Sequence, residues 1–362
     1  MRVGAVRPRI WMRLALAALL LGVAVLQACG DRRSTGLVIT PVSDAGTPPR
    51  LAGALPGDLV AAMTRYVVLL RASGEQRELA RMPGNRPVHA VGPAWSPDGA
   101  TIAYVQRAFD NGSAANDWGD DVLAVPATGG TPRLLRKHAQ RGEQVQGLTW
   151  LPGGDALLIG RGALLPGKGP SSGLRGDIIQ LDVRSGREQL VAEGGFQPSL
   201  ARDGKRLVYL RLRELQSELV VANADGSAPR VLVPAGTFAS MLFPRISPDG
   251  TTVVFAAGAL TTQSRDHRGG SPFAAALAWV SPARALAAGT HGLPMDIWSL
   301  DIATGERRVI APLAEDDPMA VWSSDGRTLV VFATRGLYTV GVGGGAVVRV
   351  GDGVFDGQID LR

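Results

Sequence analysis

Few side chains in this sequence can do chemistry, and they are scattered. Carboxylates cluster twice, as Asp110, Asp117, Asp120 and Asp121 and again as Glu315, Asp316 and Asp317, with Asp296 between the two groups. Oxygens at that density suit a hard cation such as Ca²⁺. The Asp-x-Asp-x-Asp-Gly order of a dedicated calcium loop is missing, so solvated loop acids are the plain alternative. The histidines are His89, His138, His267 and His291. None has the His-Glu-x-x-His spacing that puts two imidazoles on one helical face for zinc. Gly169-Pro-Ser171-Ser-Gly173 matches the nucleophile-elbow pattern. That pattern works only between a strand and a helix, with a histidine and an acid at hand; its surroundings here are Pro, Gly and Lys. The candidate metal or ligand contacts are therefore Asp117, Asp120, Asp121, His291, Asp296, Asp316 and Asp317, with Ca²⁺ the candidate ion. No catalytic set is complete, so the reading leans away from an enzyme.

What positions these residues is a repeat. A turn recurs as Trp95-Ser-Pro-Asp-Gly99, Trp150-Leu-Pro-Gly-Gly154, Leu200-Ala-Arg-Asp-Gly204, Ile246-Ser-Pro-Asp-Gly250 and Trp322-Ser-Ser-Asp-Gly326. Proline presets φ early in the turn, Asp accepts from turn N–H groups, and Gly takes the positive-φ position. An apolar strand follows each copy, and then a second hairpin, typified by Asp296–Ile310 around Gly305. An orphan copy of the second hairpin lies at Tyr66–Leu79. Each unit is thus four strands, A to D. Five are complete, near 91–135, 146–192, 196–233, 242–311 and 319–350. The sixth is split: Gly357–Leu361 supplies its inner strand, and Leu59–Met63 with Tyr66–Leu79 supply the rest, which joins the chain ends and hides open sheet edges. The fold class is all-β, a six-bladed β-propeller of four-stranded antiparallel blades over 57–362.

The repeat resembles the Pro-Asp repeat of TolB-type propellers, here in six blades. The copy at 200 lacks Ser-Pro, and the copy at 150 carries Gly-Gly for Asp-Gly. His291–Trp298 with Glu315–Pro318 is also similar to a subgroup of propeller lipoproteins of uncharacterised activity. Propeller topology puts A–B and C–D loops on one face, and B–C loops and D–A connections on the other. The long segments are B–C loops 106–120, 160–176 and 257–295 and D–A connections 81–92 and 136–146, all on the second face. Long loops on a rigid scaffold are where binding residues gather. Within 257–295, Ser271–Val280 reads as a short helix, with Ser271 as N-cap and Pro272 as its first residue. Trp95, Trp150 and Trp322 share one inner-strand position and read as packing between blades. Gly341–Gly345 lies in a hairpin without the helix a phosphate site needs.

Residues 1–28 read as an export signal. Arg2, Arg7, Arg9 and Arg13 precede an uncharged run, Leu14–Leu26. The run ends in Leu26-Gln-Ala-Cys29, which resembles the lipobox of bacterial lipoproteins, and the resemblance implies acylation at Cys29. Cys29 is the only cysteine, so no disulfide can form within the chain. Losing the four signal arginines would take the net charge from +6 to +2, which leaves no electrostatic case for nucleic acid. Residues 29–56, rich in Gly, Ser, Thr, Pro and Asp, read as a flexible tether.

The expected protein is exported and held on the cell membrane or outer membrane by its lipidated N-terminus, facing the periplasm or exterior. It is a monomeric disc that binds or scaffolds a protein partner through the long-loop face without catalysis. The alternatives are a metal-dependent, lactonase-like hydrolase at the propeller axis, or binding of carbohydrate or peptidoglycan fragments.

Overall fold

The computed structural model describes residues 50–51, 53–83, 88–109, 117–164, 174–213, 216–258, 293–352 and 357–362. The expected signal, Cys29, Asp110, the Ser171 motif, the expected helix at 271–280, His267 and His291 lie outside the described residues. Within them the chain is strand and turn throughout.

The chain enters through a two-residue strand, β1 (Arg50–Leu51), then β2 (Leu59–Met63), β3 (Tyr66–Leu70) and β4 (Gln76–Arg81). Blade one is β5 (Val88–Trp95), β6 (Thr101–Ala108), β7 (Asp120–Pro126) and β8 (Arg133–Arg136). Blade two is β9 (Gln144–Trp150), β10 (Ala156–Leu164), β11 (Leu174–Asp182) and β12 (Glu188–Glu193). Blade three is β13 (Gly195–Leu200), β14 (Arg206–Arg213), β15 (Gln216–Asn223) and β16 (Arg230–Val233). Blade four is β17 (Ser240–Ile246), β18 (Thr252–Gly258), β19 (Met295–Asp301) and β20 (Arg307–Glu315). Blade five is β21 (Met319–Trp322), β22 (Thr328–Ala333), β23 (Gly336–Gly341) and β24 (Val348–Asp352), and β25 (Gly357–Leu361) ends the chain. The sixth blade is β25-β2-β3-β4, with the last strand paired antiparallel to β2 from Leu59↔Leu361 to Met63↔Gly357. The split closure expected from the repeat is the one that forms.

The A–B turns explain why the repeat has its residues. In blade one, Ser96 Oγ donates to Asp98 Oδ1 (2.6 Å) and accepts from Thr101 N (2.9 Å), while Ala100 N donates to the same carboxylate oxygen (2.9 Å). Blades four and five repeat this with Ser247–Asp249 and Ser323–Asp325. The closing glycines, Gly99, Gly154, Gly204, Gly250 and Gly326, all lie at φ between 69 and 71°, where a Cβ is strained.

The core is six cores. Each apolar cluster spans one junction between neighbouring blades, and successive residues of a strand serve opposite junctions. Val253 and Phe255 pack toward blade three, whereas Val254 and Ala256 pack toward blade five. Strand side chains alternate faces, and both faces of each blade are covered. Strands such as β18 are therefore apolar at nearly every position.

One boundary differs from expectation. Arg50–Leu51, placed in the tether, pairs with β24 as Arg50↔Asp352 and Leu51↔Gly351, a fifth strand on blade five. Leu51 packs on the blade five–six cluster and Leu55 is buried in it. The outer strand of a blade has unpaired backbone groups, and two leucines hidden in a polar stretch are enough to seat the chain there.

Candidate functional site

The B–C and D–A connections leave from one end of the disc, and the described part of that end is a network of charges between blades one and two. Asp120, 1% exposed, accepts from Arg107 Nε (3.0 Å) and Nη2 (2.8 Å) and from Val145 N (2.8 Å). Burial pushes its carboxyl up, against the pull of Arg107. Arg136 is buried between Glu143 and Glu188, donating through Nη2 to the first and through Nε to the second (2.6 Å). Glu188 also accepts from Arg161 Nη1 (3.0 Å).

His138 sits between two of the expected ligand carboxylates. Its Nδ1 is 2.7 Å from Asp121 Oδ1 and its Nε2 is 3.0 Å from Asp117 Oδ1. Its main-chain N donates to the same Asp121 oxygen (2.9 Å). With an anion on each nitrogen, the fitting species is the imidazolium, a donor on both sides. Burial works to lower the His138 pKa, but the two carboxylates outweigh it and raise it above 6.5. Asp117 also accepts from Lys137 Nζ (2.7 Å), and with His138 this holds its carboxyl down at about 2. Gly119 and Gly142 permit the contact: a Cβ at Gly119 would stand 2.7 Å from the His138 ring, and one at Gly142 would stand 2.9 Å from Trp118.

Asp117, Asp120 and Asp121 are all held in ion pairs. Each is answered by a cation of the chain. Asp296 lies on β19 and accepts from Ala314 N (2.9 Å). Glu315 is buried at the end of β20, 3.9 Å from Arg335. Asp316 accepts from Thr334 Oγ1 through its main-chain oxygen (3.3 Å), and Asp317 takes φ 46°. Among the described residues no three His, Cys, Asp or Glu side chains converge as metal ligands. His89, expected in a connection, lies on β5, its ring edge-on to Phe109 at 4.7 Å.

The axis holds residues that sequence reasoning passed over. The inner strands meet around a cavity of about 150 Å³, lined by Ala94, Thr149, Ser199, Arg245, Val321 and Asp360 among others. These are one column of the repeat, the residue before each Trp95, Trp150, Leu200, Ile246, Trp322 and Leu361. The column knits the ring: Asp360 Oδ2 accepts from Trp95 N (2.8 Å), and Ser199 Oγ accepts from Ile246 N (3.1 Å). Two positions earlier, Gly92, Gly147, Gln197 and Phe243 all take positive φ at bulges in the inner strands of blades one to four. Gln197 Oε1 holds the strained Phe243 by accepting its N–H (2.6 Å). Aligning the five turns one residue upstream would have shown Arg245 as the odd member of a small or apolar column. Among the described residues the axial layer carries one carboxylate, Asp360, and one guanidinium, Arg245.

No family model matches the chain, and no curated protein matches it. Solved structures do. TolB from Acinetobacter baumannii superposes with a TM-score of 0.59 at 16% identity, over 86% of this chain and 67% of that one. A putative TolB from Agrobacterium tumefaciens gives 0.52 at 18%, over 81% and 88%. An oligogalacturonate lyase from Vibrio parahaemolyticus gives 0.51 at 12%, over 81% and 73%. At such identities the likeness speaks for architecture, and the architecture is that of a TolB-like six-bladed β-propeller.

Proposed function

We propose that this protein is an envelope lipoprotein, anchored through Cys29, whose propeller binds or scaffolds a protein partner without catalysis through its long-loop end. The observation that carries the reading is the asymmetry of the disc. The A–B and C–D turns are tight, while residues 109–119, 165–173, 259–294, 82–87 and 137–143 all connect strands at the opposite end. There the described charges of blade one are already paired, Arg107 with Asp120 and His138 with Asp117 and Asp121, so this part of the surface is held in shape before any partner arrives, which lowers the ordering cost of association. Propellers of this fold serve both binding and catalysis, and the charge-paired carboxylates support binding.

The test is in situ cross-linking of the full chain in its own envelope, beside a variant with 261–290 replaced by a Gly/Ser linker of equal length. Loss of a defined cross-linked partner in the variant is expected. Retention of every partner overturns the assignment of the face. Metabolic labelling with a radioactive fatty acid tests the anchor separately, since Cys29→Ser should abolish incorporation.

A further inference from the structure

We infer that the axial cavity is a binding site for a small α-amino acid, its carboxylate on Arg245 and the neighbouring hydroxyls and its ammonium on Asp360. In a six-membered ring, blade three faces blade six. Ser199 therefore stands across the axis from Asp360. Thr149 and Arg245 flank Ser199, and Ala94 and Val321 flank Asp360. One arc of the cavity is rich in donors, the facing point is a carboxylate, and the two wedges between are apolar.

The two charges attract each other across the cavity but make no direct ion pair among the described residues. Arg245 makes no salt bridge among the described residues, and its one side-chain hydrogen bond runs from Nη1 to Pro244 O at 3.2 Å. Asp360 spends Oδ2 on Trp95 N. Burial pulls the Arg245 pKa down and pushes that of Asp360 up, and their mutual attraction across the cavity offsets burial only in part. Buried opposite charges held apart are costly. A bare anion in the cavity would satisfy Arg245 but meet Asp360, and a bare cation would do the reverse. A zwitterion set across the axis satisfies both. The volume of about 150 Å³ admits the smallest amino acids and excludes large ones. The lining residues lie at the C-terminal ends of the inner strands, beside the A–B turns, so the site is separate from the long-loop end.

Isothermal titration calorimetry of the whole chain with glycine, L-alanine and L-serine tests this, with acetate and methylammonium as half-ligands. One amino acid should bind per chain, and each half-ligand should bind at least about tenfold more weakly. Arg245→Gln and Asp360→Asn should each weaken the amino acid by about tenfold or more, while Asp360→Asn should strengthen acetate. Since either variant could disturb the ring, Ser199→Ala and the cavity-filling Val321→Phe are added, with folding checked by circular dichroism. Val321→Phe should abolish binding with both charges in place. The inference is overturned if no amino acid binds at millimolar concentration, if acetate binds as well as glycine, or if folded Val321→Phe binds normally.

Discussion

In the A–B and C–D turns the turn Asp answers to its own neighbours, whereas at the loop end several charges answer to residues farther along the chain. Asp98, Asp249 and Asp325 accept from main-chain N–H groups two residues on, and Asp182 and Asp301 from groups two and three residues on. All five carboxyls are held below the usual range by local bonds, first of all the Ser hydroxyl two residues back for Asp98, Asp249 and Asp325 and the main-chain N–H groups for Asp182 and Asp301. At the loop end the separations are 13 residues for Arg107–Asp120 and 17 and 21 for His138 with Asp121 and Asp117, and between the outer strands of blades one and two 52 for Arg136–Glu188. Local bonds form with little loop-closure entropy and independently of the ring. Arg107–Asp120 and the His138 contacts close within blade one, whereas Arg136–Glu188 and the Val145 N bond to Asp120 exist only once blades one and two have docked. The turns are modular, and the Arg136 and Asp120 contacts couple one blade to the next.

The sharpest way to break that contrast is Arg136→Ala. The Arg136 and Glu143 side chains are 4% and 2% exposed, so the variant leaves a buried carboxylate unanswered. A loss of about 3–5 kcal/mol is expected, read from urea unfolding. The double variant Arg136→Met/Glu143→Gln should recover part of it. A loss below about 1 kcal/mol, the range of surface pairs, would mean that packing alone holds the loop end. At the turn end, Ser96→Ala, Ser247→Ala and Ser323→Ala each remove a hydroxyl with two partners, and each should cost about 1–2 kcal/mol. The triple variant should cost their sum to within about 0.5 kcal/mol. Clear non-additivity would show that the turns are not the independent modules proposed.

The His138 latch sharpens the contrast through pH. Its folded pKa is raised, so its contribution is complete below the unfolded value of 6.5 and fades as pH climbs through the folded value. Asp117 is depressed to about 2, so its contribution is complete above 3.8 and is lost as pH falls toward 2. The latch is therefore strongest between these ordinary values. Hydrogen exchange at 117–121 and 137–143, corrected for intrinsic rate, should slow severalfold from pH 8 to pH 5.5, and His138→Gln should remove the difference. The A–B turns, whose Asp residues are ionised throughout this range, should show no such change.

The same division decided what could be read in advance. Ser-Pro-Asp-Gly is a complete instruction within its own residues, so the turns, the strands after them and the split sixth blade were legible. The inner-strand position of Trp95, Trp150 and Trp322 was legible too, because it recurs. Asp117, Asp120 and Asp121 were visible as acids, but not as partners of His138 and Arg107, which lie in other elements. Arg245 and Asp360 stand 115 residues apart in number and share a cavity only because the ring closes. Strand β1 was hidden because Leu51 and the following Leu55 sit among residues typical of a linker.

The tryptophan column offers the finest test, since one repeated residue makes two different contacts. Trp150 Nε1 donates to Ala94 O at 3.1 Å and Trp322 Nε1 to Arg245 O at 3.0 Å, each reaching the inner strand of the preceding blade. The preceding blade for Trp95 is the sixth, built from the last strand of the chain. There the indole Nε1 is buried without an acceptor among the described residues. That junction is made instead by the main-chain N of Trp95 on Asp360 Oδ2. Replacement by Phe keeps most of the ring and deletes the N–H. Trp150→Phe and Trp322→Phe should therefore each lose the net worth of a hydrogen bond, about 0.5–1.5 kcal/mol, beyond the common loss of ring area. Trp95→Phe should lose only the ring area, offset by relief of an unsatisfied donor. Thermal midpoints of the three variants should place Trp95→Phe nearest the parent, and equal losses would show that the sixth junction is sealed like the rest.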